Sequence, residues 1–202
     1  MGKQYIYQIS DLTKKFDKVI CTLPTPLFSK ISGLDYPKLQ GIGAVNLVLS
    51  LKKPFLIDGT YWLNINDSGY PFLAVVEHTN FQDKSNYNNS HLLYVGNYLP
   101  ASHSYFNFTD KQLLKIFLPY LQKINPKFKL DWVNMSWVWR APFAQPIISK
   151  HYSKLIPPLV TPIPNVYLAN IQQVYPWDRG TNYAVELGIK VANLCANASS
   201  AS

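Results

Sequence analysis

Between Asn165 and Gly188 the chain runs Asn-Val-Tyr-Leu-Ala-Asn-Ile-Gln-Gln-Val-Tyr-Pro-Trp-Asp-Arg-Gly-Thr-Asn-Tyr-Ala-Val-Glu-Leu-Gly. This reads as a short apolar strand over 166 to 169, a polar loop, and a helix that starts near residue 180. The first N–H groups of a helix have no partner within it and carry its positive end, so a strand that feeds such a helix offers a seat for an anion. Gly180 permits close backbone approach, and the amides of Thr181 and Asn182 come first in the helix. Asp178 or Thr181 can equally serve as an ordinary N-cap of the same helix. A second constellation is Glu77-His-Thr-Asn80, at the end of an apolar strand. Alternate strand residues share a face, so Glu77 or His78 could place a base in a pocket; a polar strand end beside a turn is the plainer alternative. The third is Arg140-Ala-Pro-Phe-Ala-Gln-Pro146. Arg140 and Arg179 are the only arginines in the chain. Their planar, permanently charged forks suit a carboxylate or phosphate, so Arg140 could hold an acidic substrate, although an arginine that simply ends a strand fits as well.

Other chemistries lack their residues. His78, His91, His103 and His151 have neither i, i+4 spacing nor clustered carboxylates, so no metal site is expected. There is no Gly-x-Ser-x-Gly elbow and no phosphate loop with its lysine. The net charge is +8, but the basic residues are nearly all lysines, scattered singly or in pairs such as Lys14-Lys15 and Lys52-Lys53. That distribution reads as a solvated surface rather than a nucleic-acid site. Cys21 and Cys195 are far apart in sequence and sit in apolar contexts, which suits reduced, packed side chains. No apolar run reaches the roughly 18 residues a membrane span needs, and the N-terminus lacks a secretory pattern. The expected compartment is the cytoplasm.

The elements that would position these residues follow from pattern. Residues 4 to 9 and 17 to 22 read as strands around a polar turn, and Leu27 to Leu34 as a short helix. Segments 44 to 51, 61 to 65, 72 to 78 and 91 to 98 are successive strands whose turns are marked by Pro54, Asp58-Gly59, Asp67-Ser-Gly69 and the polar run 83 to 90. Hairpin-scale spacing implies an antiparallel sheet. Thr109-Asp-Lys-Gln112 has capping-box spacing, and Leu113, Leu114, Phe117, Leu118 and Leu121 follow at helical intervals, which predicts a helix over 110 to 123. A strand over 132 to 139 leads into a proline-punctuated crossing from Pro142 to Pro164, expected to be an extended linker. Tyr61, Trp62, Trp132, Trp137 and Trp139 could line a flat apolar cleft, although aromatics in strands are usually core.

The segment 165 to 188 resembles the last strand, loop and helix of the FAD-dependent amine oxidase and protoporphyrinogen oxidase-like superfamily. Phe16-Asp-Lys-Val-Ile-Cys-Thr-Leu-Pro-Thr-Pro-Leu27 is similar to that family's strand leaving the flavin domain. The resemblance implies an α+β fold, with a mostly antiparallel-sheet substrate domain and flanking helices. To this are added the terminal strand and helix of a Rossmann-like FAD domain whose main part is absent. The implied division is 1–26 as the end of the FAD domain, 27–160 as the substrate domain, 161–195 as the C-terminal FAD-contacting strand and helix, and 196–202 as a disordered tail. It also implies FAD as cofactor, with Asn170, Asp178, Arg179, Gly180, Thr181 and Asn182 on the cofactor. A small-molecule substrate would lie near Arg140, Glu77, His78 and Gln145. The family's usual Gly-Asp after the strand is Ala169-Asn170 here, where asparagine can still bond a ribityl hydroxyl or phosphate.

The family holds the dinucleotide with a Gly-x-Gly-x-x-Gly between a strand and a helix. The nearest stretch, Gly41-Ile-Gly-Ala-Val-Asn46, has asparagine at the third glycine and reads as a tight turn into a strand. An N-terminal FAD-binding half, encoded separately or missing, is therefore the expected partner. The alternative to an oxidoreductase is a non-catalytic, aromatic-rich module that binds an apolar ligand or a protein.

Overall fold

The structure, a computed structural model, describes residues 5–9, 12–178 and 180–197. The fold is mixed, with a five-stranded sheet and three helices, and the chain forms two compact units: residues 42–144, and residues 1–41 together with 145–202.

The central unit is built on strands β4 (Gly41–Leu51), β5 (Trp62–Asn64), β6 (Ala74–Glu77), β7 (His91–Leu99) and β8 (Val133–Pro146) in the order β5-β6-β7-β4-β8. Neighbours from β5 to β4 are antiparallel. Val45, Leu47, Leu49 and Leu51 of β4 are buried, as are Val75 of β6 and Leu93 and Val95 of β7. This odd-numbered face meets helix α2 (Asp110–Ile124) through Leu113, Leu114, Phe117 and Leu121. Each such side chain taken out of water contributes about 1.5–3 kcal/mol. The helix begins where its sequence says it should: Thr109 Oγ1 accepts from the Gln112 amide, and Gln112 Oε1 accepts from the Thr109 amide. Pro119 stands on its exposed side, where the carbonyl freed by the missing N–H can meet water.

Gly43 is a strand residue of β4, not part of a turn that precedes it. A Cβ there would stand 2.5 Å from the Phe106 ring and 3.0 Å from the Ala141 carbonyl oxygen. Close packing is thus the reason for this glycine. The expected proline linker also begins later than its first prolines suggest, because β8 runs through Pro142 to Pro146. β8 is an edge strand, where a missing N–H costs no ladder bond.

The second unit has β1 (Tyr5–Ile9) paired antiparallel with β2 (Leu12–Phe16), and β3 (Val19–Cys21) paired parallel with β9 (Val166–Leu168). The expectation of strands at 4 to 9 and 17 to 22 around one turn is corrected: the lysine-bearing segment 12–16 is itself the hairpin partner, and 19–21 joins a strand from the far end of the chain. Helix α1 (Thr25–Ser32) starts two residues earlier than expected, with proline in its first turn, and ends on Gly33 in the left-handed region at φ 73°. Helix α3 (Thr181–Asn197) continues through Ala196 and Asn197, two residues expected in the tail; the rest of that tail lies outside the described residues. Lys18 donates to the Cys195 carbonyl, placing a cation at the end of α3 where the helix is negative.

Candidate functional site

Two hollows, one in each unit, collect four of the predicted site residues: Asn170, Gly180 and Thr181 in one and His78 in the other. In the outer unit, a hollow of about 640 Å³ opens between the ends of β3 and β9 and the start of α3, and Thr22, Ala169, Asn170, Gly180 and Thr181 help to line it. Both strands point their C-terminal ends here, because β3 and β9 are parallel with Val19 opposite Val166 and Cys21 opposite Leu168. Helix α3 begins at Thr181, so its opening amides lack intrahelical partners. Among the described residues the wall contains no carboxylate, and Gly180, Ala184 and Gly188 give the start of α3 a small-residue face one turn apart toward the hollow. That spacing is legible in the sequence as Gly-x-x-x-Ala-x-x-x-Gly but was missed, as was Thr22.

Asn170 is held differently from expectation. It is buried, its Nδ2 donates to the Leu23 carbonyl at 2.8 Å, and its Oδ1 accepts from the Gln172 amide at 2.9 Å. Its backbone N–H donates to Gln173 Oε1. The side chain thus clamps the end of β9 to the start of α1, with its amide spent on protein groups. Asp178 is exposed and, like Asn182, stands outside the lining of the hollow. Arg179 lies outside the described residues.

In the central unit, a hollow of about 330 Å³ lies on the face of the sheet turned away from α2. Its wall includes Asn46, Tyr61, Trp62, Val76, His78, Tyr94 and Tyr98. Even-numbered residues of β4, β6 and β7 reach it for the same reason that the odd-numbered ones reach the core. His78 donates to or accepts from Tyr87 Oη through Nε2 at 2.7 Å and meets the Tyr94 ring edge-on. Burial pushes the Tyr94 phenol up, with smaller contributions from Tyr87 and Tyr61, so it stays neutral.

Glu77 is not in this hollow. The last residue of β6, it faces the core with no accessible surface, and its carboxylate accepts from the Phe55 amide at 2.9 Å and from the Leu56 amide. Burial, partly offset by those two amides, raises its pKa. His91 Nδ1 is 3.7 Å away, but burial and then Lys84 hold that imidazole below its ordinary range, so the contact is not a strong ion pair. Glu77 thus anchors the 55–56 turn, and of the two residues expected to offer a base only His78 lines the hollow.

Arg140 is exposed and donates to the Phe108 carbonyl, tying β8 to the approach of α2. Gln145 is half-buried near the end of β8, outside both linings. Of the aromatics, Tyr61 and Trp62 line the central hollow, whereas Trp132 packs against Phe128 at the core's rim and Trp137 and Trp139 stand exposed on β8. Among the described residues no three His, Cys, Asp or Glu side chains gather, and no helix is long and apolar enough to cross a membrane.

Parallel strand ends that open onto a helix start are the arrangement by which open α/β sheets seat a nucleotide-type cofactor. Residues 3–195 match the profile of the flavin containing amine oxidoreductases, and the chain belongs to that family. FAD is the cofactor this membership implies. The fold is shared with a protein from Exiguobacterium sp. 255-15 provisionally assigned as a protoporphyrinogen oxidase, at a TM-score of 0.70 and 12% identity over 96% of this chain and 44% of that one. It is also shared with an oxidoreductase from Methanosarcina mazei, at 0.62 and 17% over 91% of this chain and 44% of that one. Reduced UDP-galactopyranose mutase matches at 0.50 and 14% over 71% and 33%. The chain thus spans less than half the length of these structures. No curated protein sequence matches it.

Proposed function

We infer that this chain is the substrate domain and the closing strand and helix of an FAD-dependent oxidoreductase, completed by a dinucleotide-binding portion that carries a Gly-x-Gly-x-x-Gly element. In this reading residues 1–26 and 161–195 serve the cofactor and 27–160 the substrate. The observation that carries it is the pairing of β3 with β9. Two strands from opposite ends of the chain lie parallel and open together onto the first turn of α3.

The residues of that hollow fit FAD. Its wall has small side chains for close approach, helical amides without intrahelical partners for negative charge, and, among the described residues, no carboxylate to repel a phosphate. Among the described residues, β3 has β9 as its only strand neighbour, so its other edge can accept a further strand. Val185 and Ile189 of α3 are 56% and 59% exposed, apolar surface of the kind a docking domain covers.

When bound, FAD supplies the hydride acceptor at flavin N5. The chain's own contribution is binding, orientation and electrostatics. The amides of Thr181 and Asn182 and the positive end of α3 would stabilise negative charge on the cofactor's pyrimidine edge. Asn170 holds the strand end and the start of α1 at a fixed distance. The central hollow would orient a small-molecule substrate between aromatic walls and exclude water. With Glu77 sealed behind the sheet, His78 is the candidate base that reaches the hollow, with its Nε2 on Tyr87 Oη. A reducing cytoplasm suits the two unpaired cysteines.

The test is co-expression with the product of a neighbouring coding region that carries the glycine motif. The expected result is a complex with the visible flavin band, lost in Gly188→Leu, whose side chain would enter the hollow. Colourless protein with and without such a product would sink the reading. A stable monomer that ignores FAD would instead favour the aromatic-rich binding module.

A further inference from the structure

Lysines that lie apart in the sequence meet at one end of the central unit. β4 runs out into Lys52 and Lys53, and the segment that leads into β8 carries Lys127 and Lys129. The two segments are tied to each other. The Lys52 amide donates to the Trp132 carbonyl at 2.8 Å, Asn125 Nδ2 donates to the Phe55 carbonyl at 2.8 Å, and the Phe55 and Phe128 rings meet edge to face with centres 5.2 Å apart. All four lysines are exposed, and among the described residues none is paired with a carboxylate. Asp58 and Asp131 are the acidic residues of 52–58 and 125–132, so this end keeps a net positive charge.

Aliphatic side chains stand among these lysines. Ile57 is 74% exposed, the most of any large apolar side chain among the described residues, and Leu130 is 52% exposed. Singly exposed apolar residues are ordinary on a protein surface, but Ile57 has a built seat. Behind it the buried Glu77 carboxylate accepts from the Phe55 and Leu56 amides, Asn80 Nδ2 donates to the Leu56 carbonyl at 2.8 Å and to the Thr60 carbonyl at 2.9 Å, and Gly59 turns the chain at φ 81°. A turn fixed on both sides thus holds an isoleucine in water, with little chain entropy left to lose when something covers it. This end is also far from where the chain enters the unit. Residue 42 lies at the start of β4, and eleven strand residues at about 3.3 Å each carry the chain roughly 35 Å to Leu51.

Aliphatic side chains set among ammonium groups match an anionic bilayer, where lysines meet lipid phosphates while isoleucine and leucine enter the boundary between headgroups and acyl chains. A polynucleotide is anionic too, but it is held by arginine and by aromatic faces on which bases stack. Neither segment contains an arginine, and the most accessible ring, Trp132, is half-buried with Lys53 Nζ 5.3 Å from its centre. We propose that this end of the central unit docks on an anionic lipid surface, through Ile57 and Leu130 together with Lys52, Lys53, Lys127 and Lys129. The surface shares no residue with either hollow, so the inference stands apart from the flavin reading.

Sedimentation of the full chain with lipid vesicles tests it. Vesicles of phosphatidylcholine and phosphatidylglycerol in equal parts should carry the protein down, vesicles of phosphatidylcholine alone should not, and added salt should release it. Lys127→Ala with Lys129→Ala should lower the partition coefficient by about 25-fold, about fivefold for each lysine. Ile57→Ser, which leaves the charge unchanged, should lower it by about tenfold. Lys30→Ala with Lys38→Ala, an equal loss of charge in the outer unit, should leave it within about twofold. Every substituted side chain is exposed, so each variant is expected to fold. No sedimentation with the mixed vesicles, equal binding to neutral ones, unchanged binding by Ile57→Ser, or an equal loss in the Lys30 and Lys38 variant would overturn the proposal. A single-stranded oligonucleotide that displaces the chain from the vesicles at equal phosphate concentration would overturn it in favour of nucleic acid.

Discussion

The central unit closes its own core, whereas the outer unit does not. In the first, fifteen buried apolar residues form one cluster between the sheet and α2. In the second, among the described residues, the buried apolar clusters are two small groups, Phe28 with Val166 and Leu168, and Tyr167 with Ala169 and Val191, while Leu39 and Tyr152 are buried outside them. These small groups flank a two-stranded parallel sheet, an arrangement found almost only when helices or further strands cover it. The contrast teaches where the molecule keeps its stability and where it keeps its binding capacity: the hollow proposed for the cofactor belongs to the unit with the thinner core.

The comparison breaks most easily on core truncations. Phe117→Ala should cost about 3–5 kcal/mol in chemical denaturation, because its ring meets both Phe72 and Tyr105 and the cluster cannot collapse around the gap. Leu168→Ala should cost less, near the lower end of about 2–5 kcal/mol, since its cluster is small. Equal losses would contradict the division of stability.

Next in size is Glu77. Glu77→Ala leaves the Phe55 and Leu56 amides unpaired and should cost about 1–3 kcal/mol, whereas Glu77→Gln keeps an acceptor there. The folded carboxyl has a raised pKa, so its favourable contribution is complete below the ordinary carboxylate value and is lost as pH rises through the folded value. Urea midpoints across pH should therefore fall through that window in the parent and flatten in Glu77→Gln.

Gly43→Ala drives a methyl into Phe106 and the Ala141 carbonyl, and should lower stability by about 1–3 kcal/mol. The smallest effect sharpens the contrast best. Gly188 has open space where a Cβ would stand, so Gly188→Ala should raise the stability of the chain alone by up to about 1 kcal/mol through helix propensity. In a flavin-bearing complex the same methyl should weaken cofactor retention, reversing the sign.

The most local features were the most legible in the sequence. The capping box at Thr109 and Gln112 and the period of Leu113 to Leu121 placed α2 to within a residue, because both signals reside within one turn of chain. The sheet strands were legible from alternation and their turns. What was hidden depended on distant partners. Lys14 and Lys15 read as turn, although β1 makes that segment a strand. Pro142 read as linker, although an edge position admits it to β8. Glu77 and His78 read as one polar cluster, yet Glu77 ends β6 facing the core while His78 opens the 3-10 turn that follows and lines the hollow. Asn170 read as a free amide, and only the return of the chain past Leu23 and Thr25 shows that it is engaged.

The β3–β9 pair joins residues 147 positions apart. At roughly 5–20 residues per second of synthesis, β3 would wait on the order of ten seconds or more beside the ribosome before its mate is made. During that interval Ile20 and Leu23, still partly exposed in the finished fold, have no native strand to lie against. The nascent outer unit is thus a candidate for chaperone capture, and a partner bearing a matching strand could engage it before this chain is even complete.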